Sequence, residues 1–313
     1  MNVCTINARS LLSDAQLIEL EEEARQIKFD VIGLAEVRRK GNGAVSRPNG
    51  NYFYFSGSNT HPQGGVGFYV TSKWLKRVVS FKCVSPRIAQ LKLKISARTN
   101  LRIIQVHAPH SGYDDAAYTD FLDKLTDVLN GDKSTFTVVM GDFNAVVGKR
   151  KPGEYSVGNF GYGARNNRGQ AVVDFCENNS LKIISTFFKK RKGKKWTWRS
   201  PNGATRNEID LVLGSKQTIT RNIDVLNHFK TGSDHRLVRC KIELRDSRLW
   251  ARRRTISGRT MINKALYSAA IRSNGLNQAE SYESVIKLVK MAMDMSTEFE
   301  EPRPVLSSSV TDL

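Results

Sequence analysis

FTVVMGDFN, residues 136–144, opens on an apolar, β-branched run and closes on Gly141-Asp142-Phe143-Asn144. The run suits a buried strand, and a Gly-Asp-x-Asn ending suits the turn at its tip. A strand that buries its middle presents its end at a rim, where polar groups from distant parts of a chain can meet. The pattern recurs on both sides. Residues 2–6 (NVCTI) stop at Asn7, residues 30–35 (DVIGLA) stop at Glu36, and Leu101–His107 ends on a histidine. A last strand, 236–244, follows Ser233-Asp234-His235.

Between these lie further short strands punctuated by turn residues. They are read at Tyr52–Ser56, Val66–Thr71, Val78–Val84, Ile88–Ile95, 181–187, 195–199, 208–213 and 222–229. Helical spacing marks 13–28, with Ser13 as N-cap, then 114–130 and 168–179. The acidic run Glu19 to Glu23 reads as the solvated face of the first helix. Many strands with few helices imply an α/β protein of two packed sheets flanked by helices. The rhythm stops near residue 245. We therefore expect one domain over 1–245, then over 246–313 a basic linker (RLWARRRTISGRT), a helical stretch to about 297 and a Pro/Ser-rich end.

Charge narrows the partner. Forty-nine Lys and Arg stand against 30 Asp and Glu in 313 residues, a net +19. A surplus of that size is the usual footprint of a nucleic-acid binder, with anionic lipid as the alternative. Residues 246–313 hold ten basic and eight acidic side chains, so the excess belongs to the first 245. Cys4, Cys83, Cys176 and Cys240 are scattered, with no C-x-x-C pair, and read as small buried hydrophobes in a reducing intracellular setting. No 18-residue apolar run predicts a membrane span, and the N-terminus shows no secretory pattern. The strand-like start suggests a piece of a longer product.

Carboxylates, amides and a histidine at one rim suit a hard divalent cation, which takes oxygen ligands and keeps several waters. Each segment has a plainer reading when taken alone. G-D-x-N is turn chemistry, S-D-H can cap a helix, and Glu36 or Asn7 can be an ordinary strand end. Asp210 is different. It sits in an apolar strand (IDLVL), where an unpaired carboxylate is costly, so it needs a buried partner, and His235 is the candidate. His61, His110 and His228 have no such context and read as surface residues. In KKRKGKKWTWR (189–199), Lys189, Lys190, Arg191 and Lys192 are candidates for DNA phosphate contact, with one tryptophan in the core. The bland alternative is a solvated turn. Arg165, Asn166, Asn167 and Arg168 are candidates for the same role.

Taken in order, N-A-R (7–9), Glu36, H-A-P (107–109), G-D-F-N (141–144), I-D (209–210) and S-D-H (233–235) resemble the endonuclease/exonuclease/phosphatase superfamily over roughly residues 1–245. The stretches NNRGQAVVDFCENNSLKIISTFF (166–188) and WTWRSPNG (196–203) are similar to the endonuclease domain of RTE-type non-LTR retrotransposons. They are also similar to the related craniofacial development protein 2-like host proteins. The resemblance implies a four-layer α/β/β/α sandwich of two mostly antiparallel sheets, and a Mg²⁺-dependent endonuclease, with Mn²⁺ as a possible substitute. DNA would be nicked to leave a 3′-hydroxyl and a 5′-phosphate, in the nucleus. A reverse transcriptase in a longer product would be the partner.

The resemblance also assigns roles. Glu36 is the principal metal carboxylate, with Asn7 beside the same ion and Asp234 as a further metal-shell residue. Asp142 orients or deprotonates the attacking water, and Asn144 holds the phosphate. His235 is the histidine at the scissile phosphate, as base or as stabiliser, and Asp210 orients it. His107 stands where many relatives have tyrosine, and Asn207 and Glu208 stand where abasic-site enzymes have bulky aromatics. The competing functions are a phosphatase or phosphodiesterase for inositol or lipid phosphates, and a catalytically silent, domesticated DNA-binding protein.

Overall fold

Alternation along the first strand shows how the layers are built. Val3 joins one apolar cluster and Cys4 and Ile6 join another, because successive side chains of a strand point to opposite faces. In a computed structural model of the chain, residues 1–60, 64–244, 259–262, 289–291 and 297–300 are described. The strands in chain order are β1 (Asn2–Asn7), β2 (Val31–Ala35), β3 (Asn42–Ser46), β4 (Tyr52–Ser56), β5 (Val66–Val70), β6 (Val78–Ser85), β7 (Ile88–Ser96), β8 (Thr99–His107), β9 (Phe136–Asp142), β10 (Lys182–Ile183), β11 (Trp198–Arg199), β12 (Arg206–Asn207), β13 (Asp210–Gly214), β14 (Thr220–Leu226) and β15 (Leu237–Ile242). The helices are α1 (Asp14–Arg25), α2 (Ser72–Leu75), α3 (Asp115–Asn130) and α4 (Asn167–Asn178).

One sheet runs β14-β15-β1-β2-β5-β4-β3 and the other β10-β13-β9-β8-β7-β6. Among the described strands, only β1 with β2, and β8 with β9, pair in parallel. A middle cluster including Val3, Phe68, Leu91, Ile103, Met140 and Val212 fills the space between the sheets. Leu17, Leu20 and Ala24 of α1 pack on the outer face of the first sheet. Tyr118, Phe121 and Leu125 of α3, with Val172, Val173 and Cys176 of α4, cover the second. The result is the α/β/β/α sandwich. Gly33 sits where a side chain would strike those of Gln105 and Met140, so its bare backbone leaves room for these two side chains of the second sheet.

Several details differ from the sequence reading. β3 was not anticipated, because Asn42, Gly43 and Ser46 carry turn composition rather than strand composition. Strand 181–187 is two residues of β10 followed by a 3-10 turn over Ile184–Phe187. Residues 195–197 precede β11 instead of lying in it. Glu21 of the acidic run faces inward, 8% exposed, and takes two hydrogen bonds from Arg47. Ser13 caps α1 in a reciprocal capping box with Gln16. All four cysteines are free, and three are buried. No helix among the described residues is long and apolar enough to cross a membrane.

The chain divides into units Met1–Leu244 and Arg245–Leu313. In the second unit, β16 (Arg259–Ile262) pairs antiparallel with β17 (Thr297–Glu300), where the sequence reading had linker and the end of a helix. Residues 289–291 are helical, and the rest of the expected helical stretch lies outside the described residues, as does His61.

Candidate active site

The register of the strands brings the rim residues together. His107, at the end of β8, pairs with Asp142 at the end of β9, and Asp142 pairs across with Asp210 at the start of β13. Asn7 pairs with Ala35, one residue before Glu36. His235 lies two residues before β15 and forms an isolated bridge with Trp198. These ends line a cavity of about 490 Å³ whose walls include Asn7, Glu36, His107, Asp142, Asn144, Asp234 and His235.

The G-D-F-N turn is fixed on several sides. Gly141 has φ +142, and a Cβ there would sit 2.0 Å from the Val106 carbonyl oxygen, so only glycine fits. Phe143 is fully buried, and its carbonyl accepts from the Tyr118 hydroxyl at 2.8 Å. Asn144 adopts φ +48, with its backbone N–H donating to Asp142 Oδ1 at 2.9 Å and its amide donating to the Ala108 carbonyl. Arg9, Glu36 and Arg38 also sit at positive φ. Four of the five non-glycine residues with positive φ among the described residues are therefore at this rim, where such strain clusters in functional sites.

Asn7 bridges the two carboxylates. Its amide donates to Glu36 Oε1 at 2.9 Å and to Asp142 Oδ2 at 3.0 Å, while its oxygen accepts from the Arg9 N–H. Asn7 thus stands between the two carboxylates at the rim. Its NH₂ group, turned to both carboxylates, orients them. Glu36 accepts a second bond from Arg38 at 2.7 Å. Asp234 accepts from the Trp198 indole N–H at 2.9 Å.

His235 Nδ1 meets Asp210 Oδ2 at 2.8 Å, and its Nε2 faces Asp142 Oδ2 at 3.8 Å. Asp210 is thus held where the apolar strand demanded a partner. The Thr197 hydroxyl also accepts from the Ile209 and Asp210 backbone N–H groups. Ser233 links the ends, donating to the Asn7 carbonyl and accepting from the His235 N–H.

These surroundings set the protonation of each group. Burial pushes the Asp142 carboxyl up to about 7, although the neighbouring His235 charge opposes it. Burial would lower His235, but the Asp210 charge and hydrogen bond outweigh it and raise the imidazole to about 9. Burial lowers His107 to about 4 against the pull of Glu36. Burial raises Glu36 too, yet the bonds from Arg38 and Asn7 dominate and hold it below the usual carboxylate range.

The donor set fits a hard divalent cation. Glu36, Asp142 and Asp234 offer carboxylate oxygens in one polar cavity, and the buried charge of Asp142 gains from a nearby cation. Asp142, Asp210 and His235 also lie within 4.8 Å of one another. The short His235–Asp210 bond occupies the Nδ1 nitrogen of that imidazole.

The basic candidates divide. Arg165 is inward and spent within the protein, bonded to Glu154, to the Val147 and Lys149 carbonyls and to Gln170. Arg168 donates to the Pro109 and Tyr113 carbonyls and stacks over Tyr118. Lys190 is paired with Asp224 and Asn222. All three therefore have donors engaged within the protein. Lys189, Arg191 and Lys192 are exposed but do not line the rim cavity. Asn166 lines it and caps α4, and Asn167 is exposed beside it.

Trp196 is the core tryptophan, with the Arg236 guanidinium 3.0 Å from its ring centroid. The sequence reading missed Arg9, Arg38, Trp198 and His110 as cavity residues. Arg9 and Arg38 each stand two residues beyond a recognised rim residue, and that spacing was the available signal.

The sequence pattern of the endonuclease/exonuclease/phosphatase family matches residues 1–235. The chain belongs to the endonuclease/exonuclease/phosphatase family. It is 28% identical over 245 residues to craniofacial development protein 2 of Tragulus javanicus, covering 77% of this chain and 42% of that protein. The chain thus spans about two fifths of the length of this curated relative. Among solved structures, the 3′ phosphatase NExo from Neisseria, bound to a product DNA hairpin, matches 78% of this chain and all of its own, with TM-score 0.57 and 16% identity. The endonuclease domain of TRAS1, a telomere-specific non-LTR retrotransposon, matches 78% of this chain and 99% of its own, with TM-score 0.53 and 12% identity. At these identities the likeness carries the endonuclease/exonuclease/phosphatase fold and no finer specificity.

Proposed function

We propose that this chain is a Mg²⁺-dependent DNA endonuclease of retrotransposon origin, with Mn²⁺ able to substitute. The observation that carries the reading is the His235–Asp210 pair facing Asp142 across the rim, beside Glu36. A bound cation, held by Glu36 and Asp234 with Asp142 close by, would neutralise phosphate charge and polarise the phosphoryl oxygen.

The protein's own groups do the rest. Asp142, raised toward neutrality, accepts the proton of an attacking water. His235, kept protonated by Asp210, presents Nε2–H to the phosphate as charge builds. That division of labour favours His235 as stabiliser over His235 as base, because an imidazolium has no lone pair to receive a proton. The Asn144 amide has a second N–H free for a phosphate oxygen. The expected products are a 3′-hydroxyl and a 5′-phosphate. In a longer product, that hydroxyl would prime a reverse transcriptase on nuclear DNA.

Net charge supports DNA over inositol or lipid phosphates, as do exposed Lys189, Arg191 and Lys192 and the pair Asn166 and Asn167 at the start of α4. The test is supercoiled plasmid with Mg²⁺. Wild type gives nicked circles, and Asp142→Asn and His235→Ala each lose at least about a hundredfold in rate, the size of one acid–base or charge-stabilising group. Hydrolysis of inositol phosphates with an intact plasmid would overturn the substrate assignment. DNA binding without cleavage under any divalent metal would overturn the catalytic one.

A further inference from the structure

Beside the reaction cavity lies a second one of about 420 Å³, lined by Glu36, Arg38, Gly64, Pro86, Arg87, His107, His110 and Tyr113. It shares Glu36, Arg38, His107 and His110 with the first, so the two are continuous along the rim. Its chemistry is cationic. The Arg87 guanidinium lies 4.9 Å from the Tyr113 ring centroid, and one of its nitrogens donates to the His107 carbonyl at 3.3 Å. Tyr113 is itself held by the edge of His110, with centroids 4.8 Å apart. Arg87 is therefore fixed in place while most of its donors stay uncommitted among the described residues.

Two buried nitrogens reinforce the point. His107 Nδ1 and Arg38 Nε have no hydrogen-bond partner among the described residues. The His107 side chain is only 8% exposed, and a buried ring nitrogen without a partner is costly unless something binds there. His107 Nε2 faces Glu36 in the reaction cavity, whereas Nδ1 lies on the side of Gly64, where a Cβ would come within 3.8 Å of it. The imidazole thus stands between the two cavities and lines both.

We propose that this second cavity is a subsite for the phosphate next to the scissile one, held by the Arg87 guanidinium, Arg38 and His107 Nδ1. The proposal rests on the nuclease reading above and deepens it. It also gives His107 a task. The neutral imidazole carries one N–H, and with that proton on Nδ1 it donates to a phosphate oxygen in the second cavity. A planar guanidinium clamped on an aromatic ring is pre-organised for phosphate oxygens, so little freedom is lost on binding. The chain would then select substrates with a charged linkage at a fixed step from the cut, which favours polynucleotides over phosphomonoesters.

The experiment uses the full chain and a short DNA hairpin whose cleaved bond is first mapped with Mg²⁺. Single methylphosphonate linkages, which remove one charge each, are then placed at every step around that bond. Binding is read in EDTA by fluorescence anisotropy. For wild type, neutralising one flanking linkage weakens binding about tenfold, the loss of one charge-assisted contact. For Arg87→Gln, binding to the all-phosphate hairpin falls by a similar factor, and the sensitivity at that linkage vanishes. Arg87→Lys recovers part of the affinity and part of the sensitivity, which separates charge loss from misfolding.

A second reading needs no cleavage. The slope of log affinity against log salt falls by about one for Arg87→Gln. If Arg87→Gln weakens every hairpin equally and keeps the wild-type methylphosphonate profile, the subsite assignment is wrong. If wild type binds DNA but cuts nothing, the nuclease reading fails, while the salt slope still decides the subsite.

Discussion

His235 has its charge decided by neighbours rather than by its own chemistry. Asp210 and Asp142 lie on two sides of the ring, and burial alone would have kept it neutral. A folded-state value near 9 against an ordinary 6.5 means that the native protein binds this proton more tightly than the unfolded chain does. That preference stabilises the fold fully below about pH 6.5 and fades as pH rises through about 9. Asp142, raised to about 7, acts in the same direction at lower pH. In EDTA, the thermal midpoint of the wild type should therefore drop between pH 7 and 9. The loss should amount to a few kcal/mol at about 1.4 kcal/mol per pH unit. His235→Asn should be less stable at pH 6.5 and nearly flat over that window. A flat wild-type curve would mean that Asp210 does not hold the imidazolium.

At the level of elements, the strands deliver the site through their last residues, and the glycine of G-D-F-N sets the delivery angle. Gly141 is pressed against Val106 at a φ that side chains rarely adopt, so Gly141→Ala should cost on the order of 3 kcal/mol. Calorimetry would show the lowered midpoint, and a variant as stable as wild type would show that β8 and β9 can separate there. Much of this arrangement was legible in the sequence, because apolar runs ending on Asn7, Glu36, His107 and Asp142 are a local pattern. The burial of Asp210 was legible too, since a carboxylate in IDLVL needs a partner. Arg165, Arg168 and Lys190 were not. Their partners Glu154, the Pro109 carbonyl and Asp224 lie 11, 59 and 34 residues away, and a basic side chain in isolation does not show whether it is already paired. β3 escaped for the opposite reason. Its strand identity comes from pairing with β4, not from its Asn, Gly and Ser.

Across the whole molecule, site and charge coincide within residues 1–244. Every rim residue lies there, and the surplus of basic side chains belongs there as well, since residues 246–313 are nearly balanced. Long-range attraction to a polyanion depends on net charge, and each phosphate contact adds to the salt dependence of binding. A chain cut after Leu244 should therefore keep the full-length salt slope for DNA within about one ion, and its nicking rate within about threefold. Its unfolding should remain a single transition, because all three apolar clusters are built from residues 1–244. A slope lower by two or more would place phosphate contacts in residues 245–313. A truncated protein that binds normally but no longer nicks would instead give the second unit a part in catalysis.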